Sequence, residues 1–465
     1  MDYPNIPYTS LPFAYTQPGA LAALAMLYGL SPSPADKAAV LELGCASGGN
    51  IIPLAARFQG ATFVGFDISS EDIALGSKRI QALGLPNVSL EAADAVEFAE
   101  RAQNRQRFDY IICHGLLSWA PEPVRRAVFR ICSEQLSDNG VAVVSFNVRP
   151  GWHAQHIIRD IVMRGVDPAA QPFVRAEQAV ALLRKLAPKL ASSPYGMIIQ
   201  QGAERLAALP PSYLLWEHLA PINEAFFFDD VVRDAGSHGL HYVTEGELAM
   251  AAAESMAPQA ADLVRELSGG DRLMAQSWLD AISGRIFRRA VFAKRPSGEA
   301  PSAGALKHLH VLGALQPTDS RRAYRIESGH VVNAPDDAIA RAFAEIGEAF
   351  PASVPIARLG GGGTMAAILL QLAQAGALRL SSVPVVVGRQ TDSAPRAFNV
   401  SRLEAAQRQG WVTTLLHRSC NLTPDLADVL IALDGKDRKT LSAIFGEARL
   451  GAALAQFERE ALLAP

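Results

Sequence analysis

The run VLELGCASGGNIIPLAARF, Val40–Phe58, restricts the fold of this chain more than any other stretch. Apolar, strand-compatible residues lead through Glu42, small residues turn the backbone from Gly44 to Gly49, and an apolar helical pattern starts at once. A strand, a glycine-rich turn and a helix N-terminus in that order open an α/β sheet and aim backbone N–H groups at whatever the turn holds. The pattern continues downstream. Strands are expected at 39–43, 61–66, 87–91, 108–113 and 140–147, with helices at 49–58, 70–83, 95–101 and 122–136 between them. This alternation predicts a doubly wound parallel sheet with helices on both faces. Ser69 and Ser70 are in place to cap the second helix, and Asp138-Asn139-Gly140 to close the fourth.

After NVRPGW (147–152) the alternation stops, and 153–220 reads as helical. It resumes in FFFDDVVRDAGSHGLHYVTEGEL (226–248), a helix, a glycine turn and a strand, and in RIFRRAVFAK (285–294), read as a half-exposed edge strand. A sheet core over 1–150, a helical insertion over 151–221 and a region over 222–295 that completes the sheet are therefore expected. The Pro/Ser/Gly/Ala-rich stretch 295–305 reads as a linker. Beyond it, 306–465 carries helices near 335–349, 364–375 and 423–433. The second of these is followed by LRLSSVPVVVG, a helix–helix–ribbon order like that of a winged helix. That second helix, TMAAILLQLAQAGAL, has no Lys or Arg to meet phosphates, so protein contact is favoured over nucleic acid. As a separate module, 300–465 is expected to be dispensable for ligand affinity.

Composition narrows the classes. With 49% hydrophobic and 19% charged residues the chain can bury a large core in two or three domains. Its 43 basic and 46 acidic residues give −3, which leaves no electrostatic footprint for nucleic acid. Cys45, Cys113, Cys132 and Cys420 lie far apart without metal-ligand spacing, as suits a reduced, cytoplasmic protein with no metal. The pair His308 and His310 lacks a third ligand and reads as surface. The opening MDYPNIPYTSLPFAY has no basic and apolar signal pattern, and the longest apolar run, 19–30, is too short for a membrane span.

The turn itself reads Gly44-Cys45-Ala46-Ser47-Gly48-Gly49, with alanine where a dinucleotide site needs its second glycine. Glu42 would repel a pyrophosphate and attract an ammonium. No G-K-[ST] follows, which excludes a P-loop. Asp67, at the tip of the second strand and followed by Ile68, can accept both hydroxyls of a ribose. Asp94, after the third strand, can accept from an adenine amino group, with the N–H of Ala95 offered to the ring. The fourth strand ends in Cys113, His114 and Gly115, at the rim where open α/β sheets bind substrates. Asn147 closes the fifth strand at the same rim. Trp152 follows it as a pocket-lining candidate, whereas Trp119 reads as packing. Tyr213 and Glu217 lie four apart on one helical face.

Taken in order, E-x-G-x-A-x-G, the aspartates after the second and third strands, and F-D-x-I at the fourth resemble class I S-adenosylmethionine-dependent methyltransferases over the first third of the chain. Further segments are similar to bacterial methyltransferases that carry a methyltransferase regulatory domain, a group that includes the rickettsial outer-membrane-protein lysine methyltransferases. These are YTQPGALAALAMLYGL, CHGLLSWAP, FNVRPGWH, SYLLWEHLAPINEAFFFDDVV and IFRRAVFAKR, and the likeness extends over about 1–295. The resemblance implies a Rossmann-like sheet with a helical insertion, a C-terminal winged-helix-like α+β domain, and S-adenosylmethionine as cofactor with S-adenosylhomocysteine as product. Its cofactor residues would be Glu42, Gly44, Ala46, Gly48, Asn50, Asp67, Ile68, Asp94, Ala95, Cys113 and His114. Its catalytic residues would be His114, Asn147, Trp152, Tyr213 and Glu217. The acceptor it implies is a protein lysine amine. A small molecule of secondary metabolism, or a pseudoenzyme that binds the cofactor as an adaptor, are the alternatives. A homodimer through the helical insert is a further expectation.

Overall fold

The computed structural model describes residues 9–101, 107–190 and 192–465. Met1–Tyr8, the first part of the stretch read as lacking a signal pattern, lies outside the described residues. Pro18, whose fixed φ suits a first helical position, opens α1 (Pro18–Leu27). There follow β1 (Ala39–Leu43), α2 (Ile51–Arg57), β2 (Thr62–Asp67), α3 (Ser70–Leu83), β3 (Val88–Ala92), α4 (Ala95–Arg101), β4 (Phe108–Cys113), α5 (Glu122–Gln135) and β5 (Leu136–Val148). Ser69 Oγ accepts from Asp72 N to cap α3, and Gly84 ends the helix in the left-handed region at φ 63°. One boundary differs from expectation. The turn at Asp138–Gly140 does not separate α5 from β5; it falls inside β5, where the pairing with β4 shifts register.

Four helices then leave the sheet: α6 (His153–Gly165), α7 (Pro172–Leu190), α8 (Pro194–Ala208) and α9 (Pro211–Glu217). They bury a separate core that includes Ile158, Val162, Leu183, Ile199, Leu206 and Leu215. The chain returns through β6 (Ala225–Phe226), α10 (Phe228–Ser237), β7 (His241–Glu245), α11 (Leu248–Ala251), α12 (Pro258–Ser268), α13 (Arg272–Ser283) and β8 (Phe287–Ala293). The main sheet runs β3-β2-β1-β4-β5-β8-β7, and β6 pairs with the end of β5. From β3 to β5 the neighbours are parallel, while β8 is antiparallel to both β5 and β7.

That placement corrects the reading of RIFRRAVFAK as an edge strand. β8 lies inside the sheet, and Arg288 is fully buried. Its guanidinium lies 2.5 Å from Glu245 Oε1 and 2.8 Å from Asp280 Oδ2, and its Nη2 donates to the Gln276 carbonyl at 2.7 Å. Alternating charge along the strand thus marks an internal ion cluster under α13, not a solvated face.

The C-terminal part comprises β9 (His310–Leu312), β10 (Gln316–Pro317), β11 (Ala323–Arg325), β12 (Val331–Asn333), α14 (Asp337–Ala349), β13 (Val354–Pro355), α15 (Gly362–Gln374) and β14 (Arg379–Ser381). After these come β15 (Arg396–Ala397), α16 (Asn399–Ala406), β16 (Trp411–Thr413), β17 (Ser419–Asn421), α17 (Pro424–Ala432), α18 (Arg438–Phe445), α19 (Glu447–Arg459) and β18 (Leu463–Ala464). The expected ribbon after the second helix does not form. β14 pairs with β9, β13 intervenes between α14 and α15, and Val385 exchanges hydrogen bonds with Ser353. Nor does this part stand apart. The apolar cluster on one face of the sheet, with Val40, Phe63 and Tyr110, continues into Val311, Phe343, Leu369, Leu415 and Leu416. Among the described residues no helix is long and apolar enough to cross a membrane.

Candidate cofactor and acceptor site

The glycine turn after β1 requires left-handed backbone three times, at Gly44 (φ 69°), Ala46 (φ 44°) and Gly48 (φ 75°). Alanine rarely adopts that conformation unaided. Here Ala46 N donates to Asp67 Oδ2 at 2.9 Å, while Ser69 N donates to Asp67 Oδ1 at 2.9 Å. An ionised carboxylate offers about four lone-pair positions. Asp67 therefore stakes the turn to α3 and keeps roughly half its accepting capacity for a ligand. Close approach is built in as well: a Cβ on Gly76 of α3 would meet the Ser47 carbonyl oxygen at 2.9 Å.

Glu42 lies at the C-terminal end of β1, 3% exposed. Its Oε1 accepts from Asn50 Nδ2 at 2.7 Å, and its Oε2 has no partner among the described residues. Burial, with Asp67 adding to it, pushes the carboxyl up to about 8, against the hydrogen bond from Asn50. A buried carboxylate oxygen left without a donor beside a turn of N–H groups fits a ligand that carries an ammonium. Asn50 is not free to turn. Its Oδ1 accepts from Phe13 N (3.0 Å) and Thr16 Oγ1 (3.0 Å), and it lies 2.8 Å from His417 Nε2. A backbone N–H can only donate, so the amide must present Nδ2 to Glu42. Asn50 is thus a mediator between Glu42 and two other segments, the N-terminal one and that of His417.

The remaining expected ligand contacts divide. Ile68 is 73% exposed, directly after the end of β2. Asp94 Oδ1 accepts from Val96 N at 2.7 Å and caps α4, and Ala95 beside it is buried. Cys113 is enclosed, with burial pushing its thiol well up, so it offers no thiolate. His114 is covered by the N-terminal segment. Its Nδ1 meets Tyr15 Oη and lies 3.2 Å from Ser145 Oγ, and the Phe13 ring centre is 3.6 Å from its own. Burial, with Arg289 adding to it, pulls the imidazole down to about 3, which keeps it neutral. Ser10 Oγ accepts from Gly49 N at 2.8 Å. Residues 10–16 thus wall the turn, a role that no sequence signal in SLPFAYT announces.

The second group gathers beyond β5. Asn147 is fully buried; its backbone N donates to Ser118 Oγ (2.8 Å) and its Nδ2 to Asn223 Oδ1 (3.1 Å), and its Oδ1 has no partner among the described residues. Asn223 Nδ2 in turn donates to the Glu217 carbonyl at 2.5 Å, which ties the sheet rim to α9. Glu217 is 9% exposed, and burial raises its carboxyl to about 7. Tyr213, one turn earlier, is half-open to solvent at 39%, and burial of its ring raises the phenol to about 12 with Glu217 contributing. Trp152 is 2% exposed, with no partner for its Nε1 among the described residues, so it sits inside the rim and does not front an open wall. His218, which sequence reasoning passed over, is buried with neither ring nitrogen bonded among the described residues, and burial pulls it down to about 4. Direct hydrogen bonds link Asn147 to the α9 end, but among the described residues none joins that group to His114. Among the described residues there is no group of three or more His, Cys, Asp or Glu able to hold a metal.

Comparison with known proteins supplies a context for both groups. Residues 34–191 match the methyltransferase domain family, and residues 210–294 match the predicted methyltransferase regulatory domain. The uncharacterized protein RP789 of Rickettsia prowazekii is 33% identical over 288 residues, which cover 62% of this chain and 51% of that protein. RP028 of the same organism is 30% identical over 237 residues, covering 50% of this chain and 94% of that protein. The chain thus spans about half the length of the first and nearly all of the second. PKMT2 from Rickettsia typhi, solved in complex with AdoHcy, superposes with a TM-score of 0.84 at 22% identity, over 98% of this chain and 100% of that one. At that identity the likeness establishes the fold.

Proposed function

Because the chain belongs to the S-adenosylmethionine-dependent methyltransferases that carry a methyltransferase regulatory domain, we propose that it methylates the side-chain amine of a protein lysine. The cofactor would lie across the glycine turn, its ammonium at Glu42 Oε2, its ribose at Asp67 and its adenine between Ile68 and the Asp94–Ala95 corner. Bound there, S-adenosylmethionine supplies a methyl on a sulfonium, already a good leaving group. What remains for the protein is alignment and proton removal. A lysine ammonium must lose a proton before it can attack. Glu217, buried at the rim and raised to about 7, has the affinity to take one near neutral pH, while the open Tyr213 and the Asn147 Oδ1 orient the amine. His114 with Phe13 and Tyr15 forms an uncharged wall on the cofactor side. The name of the neighbour PKMT2 fits an acceptor on a protein.

The observation that carries this reading is the buried, raised carboxyl of Glu217 joined through Asn223 to the end of β5. The test is incubation with methyl-labelled S-adenosylmethionine and fractionated protein. Label is expected in methyl-lysine after acid hydrolysis. Label confined to small molecules, or cofactor binding with no transfer to any fraction, would overturn it. Glu217→Gln should lower the rate at pH 7 by ~10²–10⁴-fold and remove the inflection near pH 7, leaving cofactor affinity unchanged. An intact inflection in that variant would exclude Glu217 as the base.

Glu42 gives a second expectation. In the free site burial keeps its carboxyl protonated below about 8, whereas an ammonium requires the carboxylate, so cofactor binding expels a proton. Affinity for S-adenosylmethionine should therefore climb with pH, approaching tenfold per unit below the midpoint, and flatten above it. Calorimetry at pH 7 in two buffers of different ionisation enthalpy should give different heats, and equal heats would remove Glu42 from the contact.

The order α14–β13–α15–β14, with β9 as third strand, supports a winged-helix-like reading of part of the C-terminal region, used for protein contact and not for nucleic acid. Exposed Met163, Phe173, Val174, Tyr195 and Met197 on the inserted helices support a homodimer through that insert, testable by sedimentation. Cytoplasmic residence belongs to the same proposal, supported by four free cysteines.

A further inference from the structure

We propose that the C-terminal hairpin of β16 and β17 is a working part of the cofactor site, with His417 as the residue that positions Asn50 and, through it, Glu42. The contact joins three segments remote in the chain: Asn50 Oδ1 receives Phe13 N and Thr16 Oγ1 from the N-terminal side and meets His417 Nε2, 367 residues downstream. His417 reaches it from the hairpin tip, 2% exposed, in the left-handed region at φ 58°. The tip is closed by Thr414 N to the Arg418 carbonyl and His417 N to the Thr414 carbonyl, each 2.9 Å. A non-glycine residue held at positive φ is costly, and such strain persists where the surroundings impose it.

The surroundings do impose it. Arg57 Nη1 donates to the Leu415 carbonyl (3.0 Å), and Gln17 Nε2 to the Leu416 carbonyl (3.2 Å). Leu415 N donates to the Ala461 carbonyl at 2.9 Å. On the same hairpin, Thr413 N donates to Glu404 Oε2 (2.6 Å), and Glu404 pairs across the interface with Arg79 of α3 at 2.7 Å. The hairpin is thus clamped to both α2 and α3, the two helices that flank the glycine turn. Because Phe13 fixes Asn50 Oδ1 as the acceptor, His417 Nε2 must carry the hydrogen. The imidazole is neutral, since burial with Arg57 facing it pulls the ring down to about 3, so the hydrogen sits on Nε2 alone. Each donor on Oδ1 opposes rotation of the amide, and the amide is the donor that holds Glu42. Asp67, Cys45 and Cys113 are the other titratable groups facing Glu42.

It follows that seating of the C-terminal region and affinity for the cofactor are linked, contrary to the expectation that 300–465 is dispensable. This inference rests on reading the glycine turn as the S-adenosylmethionine site. In the full-length chain, His417→Ala should weaken S-adenosylhomocysteine binding by roughly 5–30-fold, the effect of one lost hydrogen bond with its buried acceptor. It should also move the pH midpoint of binding upward, because a less firmly held Asn50 stabilises the Glu42 carboxylate less. His417→Gln, which keeps a donor, should restore both. Arg418→Ala, whose guanidinium pairs with the exposed Glu327, should bind as the unaltered chain does. If His417→Ala does not fold, His417→Leu removes the donor while retaining bulk and carries the same test. Unchanged affinity and midpoint without the donor, no restoration by glutamine, or an equal loss in Arg418→Ala would each overturn the inference. An unaltered chain that binds no S-adenosylhomocysteine would instead overturn the reading of the turn.

Discussion

Asp67→Ala is expected to weaken S-adenosylmethionine binding by about 3 kcal/mol, ~150-fold. The size reflects two tasks held by one carboxylate. Toward the ligand, it offers charge-assisted acceptors for the ribose hydroxyls. Toward the protein, it takes the N–H groups of Ala46 and Ser69 and so maintains an alanine in left-handed conformation. Asp67→Asn separates these: an amide keeps one acceptor oxygen but turns its nitrogen against one of the two N–H donors. Its affinity should fall nearly as far, with the thermal midpoint of the ligand-free chain also lowered. Calorimetry that finds either variant within twofold of the unaltered chain would remove Asp67 from the site.

The other large effect is on stability. Arg288→Ala should destabilise the chain by about 3–5 kcal/mol, roughly a fifth or more of the stability a domain commonly has. Arg285 lies 3.4 Å from Asp280 and can still answer it, but Glu245, 2% exposed, loses its nearest cation. In the intact protein burial would raise the Glu245 carboxyl, yet Arg288 and Arg285 together hold it below its usual range. Once Arg288 is gone, that carboxyl must be buried as an unpaired charge or take up a proton. The paired replacement Arg288→Met with Glu245→Leu should recover most of the loss, because it removes both the charge and the need for it. Urea unfolding would reveal this, and a single variant that unfolds within 1 kcal/mol of the parent, on the order of a surface change, would argue that solvent reaches the cluster.

The sheet core was legible in the sequence because its signals are local. Glycines at 44 and 48, a strand ending in Glu42 and aspartates after successive strands fix a backbone path through their own chemistry. The sheet-completing strands at 241–245 and 287–293 were legible for the same reason, with a glycine at 239 opening the first. Arg288 was misread because alternation of charge and apolar residues cannot distinguish solvent from a buried counter-ion, and its counter-ions stand 43 and 8 residues away. The apolar run 383–388 suggested a ribbon, but Val385 pairs with Ser353 through side-chain and backbone contacts that no periodicity encodes. Of the candidate site, Asp67 and Glu42 could be named, while the agent that holds Glu42 could be half seen. Asn50 was in view at the helix start; its partners Phe13, Thr16 and His417 were not, since a histidine hundreds of residues away carries no mark of where it will dock.

The order of strands has a consequence for synthesis. β5 sits in mid-sheet, but the strand that covers its outer side is β8, paired from Asn147–Phe287 to Val141–Ala293. While the chain emerges N-terminus first, β5 is complete long before its cover exists, and at about 5–20 residues per second the interval runs to several seconds or more. Throughout it, a strand of Val141, Val143, Val144 and Phe146 presents unpaired backbone donors and acceptors. Exposed apolar edges of this kind recruit other strands, including those of neighbouring nascent chains. The helices α6–α9 are made in that interval, and their core closes on itself without help from the sheet. A chain released before β8 is translated should therefore precipitate, whereas one that runs to Ala293 has that edge covered.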